Sequence, residues 1–325
     1  MNRGPVFVAG LERSGTSLLY ALLASHPEIA MSRRTNLWRY VYRQYGDISD
    51  PTQLDRCLND MKHYKRLVVL DLDFDELRRA FLGGPRTYPR LFELVGLQVA
   101  ARQNKPRWGD KSLLTERFAG PIFEAYPGAR ILHMMRDPRD RFASSKARWG
   151  RRLGGVGAGT AEWIWSAELA HANRATFPES YLIVRYEDLV TSPRETLVAI
   201  CDFIDAPWAE EMLGMEGAET FRDEGGNSSY GSRPAGTISS DSIGRHRSVL
   251  AEREIAFVDL MAGSEMDQLG YPRDPDSRAR GRWLGSASHP IETLRFHTWR
   301  GREAVKRLRP GTGVPEYRLV ELEAS

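Results

Sequence analysis

The segment 5–25 constrains the fold of this chain more than any other, because a strand, a glycine turn and a helix follow one another in it. A valine-rich apolar run at 5–9 is typical of a buried parallel strand. Leucines and alanines at helical spacing fill 16–25, after the turn GLERSG. Further apolar strands and helical segments alternate along the chain, at 129–135, 161–176, 181–189 and 192–205. This alternation predicts an α/β protein with a three-layer P-loop-like fold, in which a short parallel sheet lies between helices.

Composition and charge exclude several classes of protein. The 325 residues are 41% hydrophobic, which excludes wholesale disorder and a rod-like fold. Lys and Arg number 46 against 43 Asp and Glu, so the net charge of +3 gives no indication of nucleic-acid binding. No apolar run reaches the length of a signal-peptide core or a membrane span. With only Cys57 and Cys201 as thiols, we expect a cytoplasmic protein without a disulfide framework.

The turn after the first strand, GLERSGTS at 10–17, has the features of an anion-binding loop. A helix that begins at Gly15 presents unpaired N–H groups and the positive end of its dipole. The two glycines have the spacing of the nucleotide P-loop GxxxxGK[ST], but Thr16 stands at the lysine position. This weakens a kinase or hydrolase interpretation and leaves Arg13 as the cation of the loop. The alternative is an ordinary glycine turn with a surface arginine.

A second motif, RDPRDRFAS at 136–144, follows the predicted strand 129–135. The carboxyl ends of strands are where open α/β sheets bind ligands. Arg136 and the hydroxyl of Ser144, two helical turns further on, form a pair suited to a second phosphate group. The alternative is a basic helix start with surface ion pairs around Asp140.

The two motifs together resemble the PAPS-dependent sulfotransferase family, and most closely its bacterial and tyrosylprotein-type branch. That family has a loop of the form RSGT[TS] and a motif R[DN]P[RK]D followed by Ser; RSGTS at 13–17 and RDPRD at 136–140 match them. The stretch 184–204 and the tail 242–271 are also similar to family segments. The resemblance covers residues 5–271.

The resemblance implies a donor, PAPS, and a product, the 3′,5′-bisphosphate PAP. Residues 13–17 would hold the 5′-phosphosulfate, and Arg136 with Ser144 the 3′-phosphate; Tyr186 would lie beside the adenine. Arg245 or Arg247 would close over the donor. The implied donor-binding residues are Arg13, Ser14, Gly15, Thr16, Ser17, Arg136, Ser144, Tyr186 and Arg245. No metal is implied, and the seven histidines show no metal-ligand spacing.

Lys111 matches the family lysine and, with Arg13, is the predicted catalytic cation. The family's general base is missing from both of its usual places. Leu113 replaces a histidine, and Arg33 and Arg34 stand where the tyrosylprotein-type branch has carboxylates. Asp110 is the replacement candidate because it adjoins Lys111. Orienting Lys111 or capping a helix is an equally open role for Asp110.

The predicted activity is in-line transfer of a sulfuryl group from PAPS to a hydroxyl or amine of a small-molecule, glycan or lipid acceptor. Arg33 and Arg34 could recognise an anionic acceptor, and the alternative is a solvated pair of arginines. The alternatives are a catalytically silent PAPS- or PAP-binding scaffold and a P-loop nucleotide kinase. The sequence does not determine the oligomeric state.

Two domains of unequal size are predicted: a sulfotransferase domain at 1–272 and a basic extension at 273–325 packed on it. Residues 273–309 hold ten Lys or Arg and four Asp or Glu. Glycine-rich segments at 150–159 and 217–244 are predicted as mobile loops that close over donor and acceptor.

Overall fold

The computed structural model describes residues 3–150, 155–223, 234, 236–273, 289–307 and 319. Parts of the two predicted lids and of the basic extension lie outside the described residues, at 151–154, 224–233, 274–288 and 308–318.

Five parallel strands form one sheet in the described part of the chain, in the order β2-β3-β1-β4-β5. Their bounds are β1 Val6–Ala9, β2 Ile29–Arg33, β3 Arg107–Lys111, β4 Arg130–Met135 and β5 Tyr181–Arg185. The sequence predicted β1, β4 and β5. It missed β2 and β3, since the charged sequence RWGDK of β3 has no apolar pattern. The predicted strand 181–189 is too long, because a helix begins at Tyr186.

Helices cover both faces of the sheet, as the predicted three-layer fold requires. They are α1 Thr16–Ala24, α2 Leu37–Tyr40, α3 Pro51–His63, α4 Lys65–Val68, α5 Phe74–Leu82, α6 Tyr88–Arg102, α7 Ala119–Ala125, α8 Pro138–Trp149, α9 Gly155–Thr176, α10 Tyr186–Thr191, α11 Pro193–Phe203, α12 Glu219–Asp223, α13 His246–Val249, α14 Glu252–Met261, α15 Gly263–Gln268 and α16 His289–Arg307. Short 3₁₀ turns lie at Thr115–Phe118, Glu210–Gly214 and Glu216–Ala218.

The alternation of side chains along β1 builds a core on each face of the sheet. Val6 and Val8 belong to a buried cluster that also contains Leu22 of α1 and Leu197 of α11. Phe7 points the other way, into a cluster with residues of α3 to α6. Successive strand residues point to opposite faces, so both faces need an apolar cover. Each fully buried aliphatic or aromatic side chain contributes about 1.5–3 kcal/mol to this packing.

Of the two segments predicted as mobile loops, 150–159 is helical from Gly155 onward and 217–244 is helical over Glu219–Asp223, so the prediction is wrong at both places. Gly157 lies against α16, and a Cβ atom on it would sit 1.9 Å from the carbonyl oxygen of Glu292. The N–H of Gly157 donates to the Glu292 carboxylate at 2.7 Å. The glycines of this segment therefore permit close helix packing.

Helix α16, the described part of the basic extension, packs along α9. Trp299 contacts Trp165 with ring centroids 6.1 Å apart, and Arg300 pairs with Glu168 at 3.0 Å. The division of the chain at residue 272 stays a prediction. None of the described helices is both long and apolar enough to span a bilayer.

Candidate anion-binding site at the carboxyl edge of the sheet

All five strands are parallel, so their carboxyl ends meet at one edge of the sheet. The loop 10–15 follows β1, and Arg34 follows β2. Lys111 is the last residue of β3, while Arg136 and Tyr186 follow β4 and β5. The predicted motifs, far apart in the chain, therefore share one edge.

The loop between β1 and α1 has the backbone of an anion cradle. Gly15 has φ +96°, and a Cβ atom there would lie 2.5 Å from the ring of Tyr186. Arg13 also has a positive φ, and the N–H of Ser14 donates to the Leu11 carbonyl at 3.3 Å to close the turn. The N–H groups of Leu18 and Leu19 donate to the Gly15 carbonyl at 2.9 and 3.1 Å, so those of Thr16 and Ser17 are the ones that the helix leaves for an anion at this loop.

Glu116, which was not predicted from the sequence, holds the start of the loop by a buried hydrogen bond. Its carboxylate accepts the N–H of Gly10 at 3.2 Å and the hydroxyl of Ser166 at 3.5 Å. Complete burial raises the pKa of this carboxyl. Nothing in the local sequence TERF signals this role, because the contact joins residues 106 positions apart.

Four of the predicted donor-binding side chains converge beside the loop. Arg13 Nε donates to Ser144 Oγ at 3.0 Å, and Arg136 Nη1 donates to the Arg13 carbonyl at 3.2 Å. The Arg136 guanidinium stacks 4.4 Å from the ring centre of Tyr186. Its Nε is buried and has no hydrogen-bond partner. A buried donor without an acceptor costs about 1–3 kcal/mol, so this side of the cleft suits an added anion.

The segment 242–247 packs over this group of side chains. Arg136 Nη2 donates to the Ser242 carbonyl at 2.8 Å. Asp140 accepts hydrogen bonds from the N–H of Gly244 at 2.7 Å and from the His246 N–H and ring at 2.8 Å each. Burial acts to raise the pKa of Asp140, but the hydrogen bonds from His246 outweigh it and hold the pKa below its usual value. Asp140 thus anchors the segment and is no surface ion-pair residue.

Arg245, the predicted lid residue, lies on the outside of this segment. Its side chain is exposed, and its Nε donates to the Asp241 carbonyl at 3.1 Å. Its role as a donor-binding residue stays a prediction.

The opposite half of the edge carries a group of neighbouring cations. Lys111 is 2% exposed, and burial, followed by repulsion from Arg34 and Arg33, lowers its pKa to about 7. Burial and the charges of Arg33 and Arg66 also lower the pKa of Arg34. Among the described residues, no carboxylate forms an ion pair with Arg33, Arg34, Arg66 or Lys111. This cationic cluster, defined as Arg33, Arg34, Arg66 and Lys111, favours a negative group beside it.

Asp110, the predicted replacement base, points away from Lys111. In the register of β3, Asp110 is paired with Phe7 and Lys111 with Val8, so the two side chains leave opposite faces of the sheet. The Asp110 carboxylate accepts the Ser112 hydroxyl at 2.7 Å and lines a cavity of about 10 Å³, too small for an acceptor. Burial raises its pKa to about 6. This position favours neither the role of Asp110 as the base nor a role in orienting Lys111.

Comparison with known proteins agrees with this geometry. The protein-tyrosine sulfotransferase of Drosophila melanogaster is 26% identical over 219 residues, which cover 65% of this chain and 40% of that protein. Protein-tyrosine sulfotransferase A of Caenorhabditis elegans is 25% identical over 217 residues, covering 65% and 52%. The chain thus spans about half or less of the length of these relatives.

The fold is similar to that of the sulfotransferase domain from the Synechococcus PCC 7002 olefin synthase, with a TM-score of 0.56 and 19% identity. The superposition covers 83% of this chain and 97% of that domain. A family model described as the sulfotransferase family matches residues 5–210, well over half of the chain. The tail 242–271 lies beyond that match, so its resemblance stays a prediction. The loop, the arginine–serine pair and these matches together show that the chain belongs to the sulfotransferase family.

Proposed function

We propose that this chain transfers a sulfuryl group from PAPS to a hydroxyl, or an amine, of an acceptor. The observation that carries the proposal is the convergence of Arg13, Arg136, Ser144 and Tyr186 on the anion-binding loop. Two phosphate sites on one edge, a loop and an arginine–serine pair, match a donor with a phosphosulfate at one end and a phosphate at the other.

The residues present fit such a donor. The unpartnered Nε of buried Arg136 offers a hydrogen bond to the 3′-phosphate, together with Ser144. The N–H groups of 13–17 would hold the 5′-phosphosulfate, and Tyr186 would lie beside the adenine. Arg245 would close over the nucleotide from the segment 242–247.

Charge stabilisation explains how the edge would promote transfer. The donor supplies an activated sulfuryl group whose departure leaves negative charge on a phosphate oxygen. Arg13 and the start of α1 would stabilise that charge on one side and Lys111 on the other. An anion beside Lys111 raises its pKa from about 7, so the amine is protonated when the site is filled.

The acceptor class follows from the cationic cluster. Because Arg33, Arg34 and Arg66 repel one another and lack ion-pair partners among the described residues, we propose an acceptor with a negative group near its hydroxyl. A small molecule, glycan or lipid with a phosphate or carboxylate fits this requirement. A protein tyrosine is the second candidate, because the similar proteins from Drosophila melanogaster and Caenorhabditis elegans are named protein-tyrosine sulfotransferases.

Two alternatives keep the donor site but change the chemistry. A catalytically silent PAPS- or PAP-binding scaffold would need the same phosphate contacts and no acceptor. A nucleotide kinase would need a lysine at Thr16 and leaves the pair Arg136 and Ser144 without a role. That transfer needs no metal stays a prediction.

Calorimetric titration with PAP, ADP and ATP tests the donor site. We expect a preference for PAP that falls by about 10²-fold in Arg136→Ala, since a charge-assisted fork is lost. Tighter binding of ATP would favour the kinase. Binding of PAP without turnover of PAPS on phosphorylated, carboxylated and tyrosine acceptors would favour the scaffold.

We also propose a cytoplasmic location. Cys57 and Cys201 are buried free thiols in core clusters on opposite faces of the sheet. Buried unpaired thiols are typical of a reducing compartment. Fractionation of cells that express the chain tests this proposal.

A further inference from the structure

Glu12, a carboxylate within the anion-binding loop, has no part in the reaction described so far. It lies between β1 and Arg13, and its carbonyl accepts Arg141 Nε at 3.1 Å. Arg141 is itself buried, so the backbone of Glu12 is held in place from α8. The Glu12 side chain is exposed, in contrast to the buried Leu11 before it. The loop therefore holds one carboxylate at its surface.

The charge of Glu12 acts on the cationic cluster. Burial and then Arg34 and Arg33 lower the pKa of Lys111, and the negative charge of Glu12 opposes them. Glu12 opposes the lowering of the Arg34 pKa as well. Within the described residues, Glu12 forms no ion pair, so its oxygens stay open to a substrate.

Glu12 lines a cavity of about 250 Å³ whose other walls come from α8, α9 and α16. Trp149 and Trp299 line it, and they offer faces to a ring. Ser145 also lines it; its Oγ is buried and has no hydrogen-bond partner. Glu162 shares the cavity but is paired with Arg141. Glu12 is the carboxylate of the anion-binding loop that lines this cavity.

Three other carboxylates that adjoin the loop or Lys111 are engaged elsewhere, and Glu187, after β5, accepts the N–H of Asp137 at 3.0 Å. Asp110 points into the core and accepts the Ser112 hydroxyl. Glu116 lies under the loop and accepts the Gly10 N–H. Asp140 is bound to Gly244 and His246. Glu12 is thus an exposed carboxylate within the loop that is proposed to bind the sulfuryl group.

We propose that Glu12 is the general base of the sulfuryl transfer, and that the adjoining cavity binds a hydroxyl acceptor through a ring. This inference rests on the proposed function. The Glu12 carboxylate takes the proton of the acceptor hydroxyl as the bond between acceptor oxygen and sulfur forms. The bond between sulfur and the phosphate oxygen breaks, and its electron pair stays on that oxygen, beside the Lys111 ammonium. The products are a sulfate ester, PAP and a protonated Glu12 that returns its proton to water.

Acceptors of different acidity test the role of Glu12. At pH 8 phenol is neutral and needs a base, whereas 4-nitrophenol is mostly ionised and does not. We expect Glu12→Gln to lower transfer to phenol by about 10²-fold and transfer to 4-nitrophenol by no more than about threefold. The matched control Glu211→Gln removes an exposed carboxylate outside this edge and leaves both rates unchanged. Equal losses on both acceptors, or no loss on phenol, would overturn the inference.

A binding measurement checks the same contact without turnover. The absorbance of 4-nitrophenol reports its ionisation when it is bound beside PAP. Because a neighbouring carboxylate disfavours the phenolate, Glu12→Gln is expected to lower the pKa of the bound phenol. Calorimetry with PAP should give the same affinity in both proteins.

The two hypotheses fail in different ways. If the unaltered chain and the Glu12→Gln variant transfer sulfuryl groups to phenol equally well, Glu12 is not the base and the proposed function is unaffected. An unaltered chain that binds PAP but transfers to none of the phosphorylated, carboxylated, tyrosine and phenolic acceptors refutes both. An unchanged spectrum of bound 4-nitrophenol in the variant also refutes the base.

Discussion

The two halves of the carboxyl edge treat their positive charges in opposite ways. In the half proposed to bind the donor, here called the donor half, Arg13 and Arg136 are hydrogen-bonded to Ser144 and to backbone carbonyls, and Arg136 stacks on the Tyr186 ring. In the half proposed to bind the acceptor, here called the acceptor half, burial and neighbouring positive charges lower the pKa values of Arg34 and Lys111. The side chains of the donor half are therefore already held in place without a ligand. In the acceptor half the positive charges repel one another, and a bound anion would reduce this repulsion.

This difference indicates that the two halves of the edge would have different functions, nucleotide binding in the donor half and charge stabilisation in the acceptor half. Side chains held by several hydrogen bonds lose little freedom on binding, which favours tight and specific grip of one nucleotide. A buried amine near its neutral form responds strongly to added negative charge. Substitutions in the two halves should consequently change different quantities, affinity in the donor half and rate in the acceptor half.

The largest effect is expected for Lys111→Met, which keeps the length of the side chain and removes its charge. We expect turnover of PAPS to fall by about 10³-fold, since a buried cation beside the leaving oxygen is lost. The affinity for PAP should change by only a few-fold. Stopped-flow or radiolabel assays of PAP release measure the first, and calorimetry the second. Lys105→Met, at a half-buried lysine that donates to the Ala24 carbonyl, is the control and should retain turnover. A matching loss of affinity in Lys111→Met would contradict the division between halves.

The same lysine should make the stability of the free protein depend on pH. Its folded pKa of about 7 lies below the unfolded value, so the unfolded chain binds more protons between pH 7 and about 10, and stability rises with pH in that window. The gain is roughly 2–4 kcal/mol in the free energy of unfolding. Urea denaturation at pH 7 and pH 9.5 measures it. Other groups titrate equally in Lys111→Met, so the difference between the two proteins isolates the amine. A difference that does not change with pH would show that Lys111 is solvated.

The wall of the cavity beside Glu12 is tested by Gly157→Ala. A Cβ atom 1.9 Å from the Glu292 carbonyl forces α9 and α16 apart. We expect a loss of roughly 2–3 kcal/mol in the free energy of unfolding, as in other overpacked sites. Gly120→Ala in α7 is the control, because open space surrounds that position. Thermal denaturation of both variants decides the matter; equal melting temperatures would mean that α16 does not pack on α9 in solution.

The smallest effect is expected for Arg136→Lys in the donor half. Lysine keeps the charge but loses the fork to the Arg13 and Ser242 carbonyls and the stacking on Tyr186. The affinity for PAP should fall about tenfold, which is about 1.4 kcal/mol, while turnover at saturation stays within a few-fold. Arg185→Lys, at an arginine stacked 4.8 Å from Tyr271, is the control. An unchanged affinity would show that charge alone holds the 3′-phosphate.

Prediction from sequence succeeded where a local pattern carries the physics. The strand β1, the loop with Arg13 and the helix α1 were predicted because apolar runs and a glycine turn adjoin one another. The sequence did not predict β3, since strand residues such as Arg107 satisfy their charges through the distant carbonyls of Gly4 and Ile204. A charged strand has no apolar pattern to recognise.

The failure over 155–159 has a similar cause. A run of glycines predicts a mobile loop when only local backbone freedom is considered. The helix forms because α16 packs against it, and Glu292 accepts the N–H of Gly157. This contact joins residues 135 positions apart, so no window of the sequence contains it.

The sequence by itself determined the two motifs that we propose bind phosphate and the α/β alternation that places them after strands. Those features depend on neighbouring residues: a turn, a helix start, an arginine eight residues before a serine. Only the tertiary structure decided that Asp110 faces the core and that Glu12 lines a cavity beside the anion-binding loop. Strand pairing fixed the face of the sheet on which the Asp110 side chain lies. Burial and the neighbouring arginines lowered the pKa of Lys111.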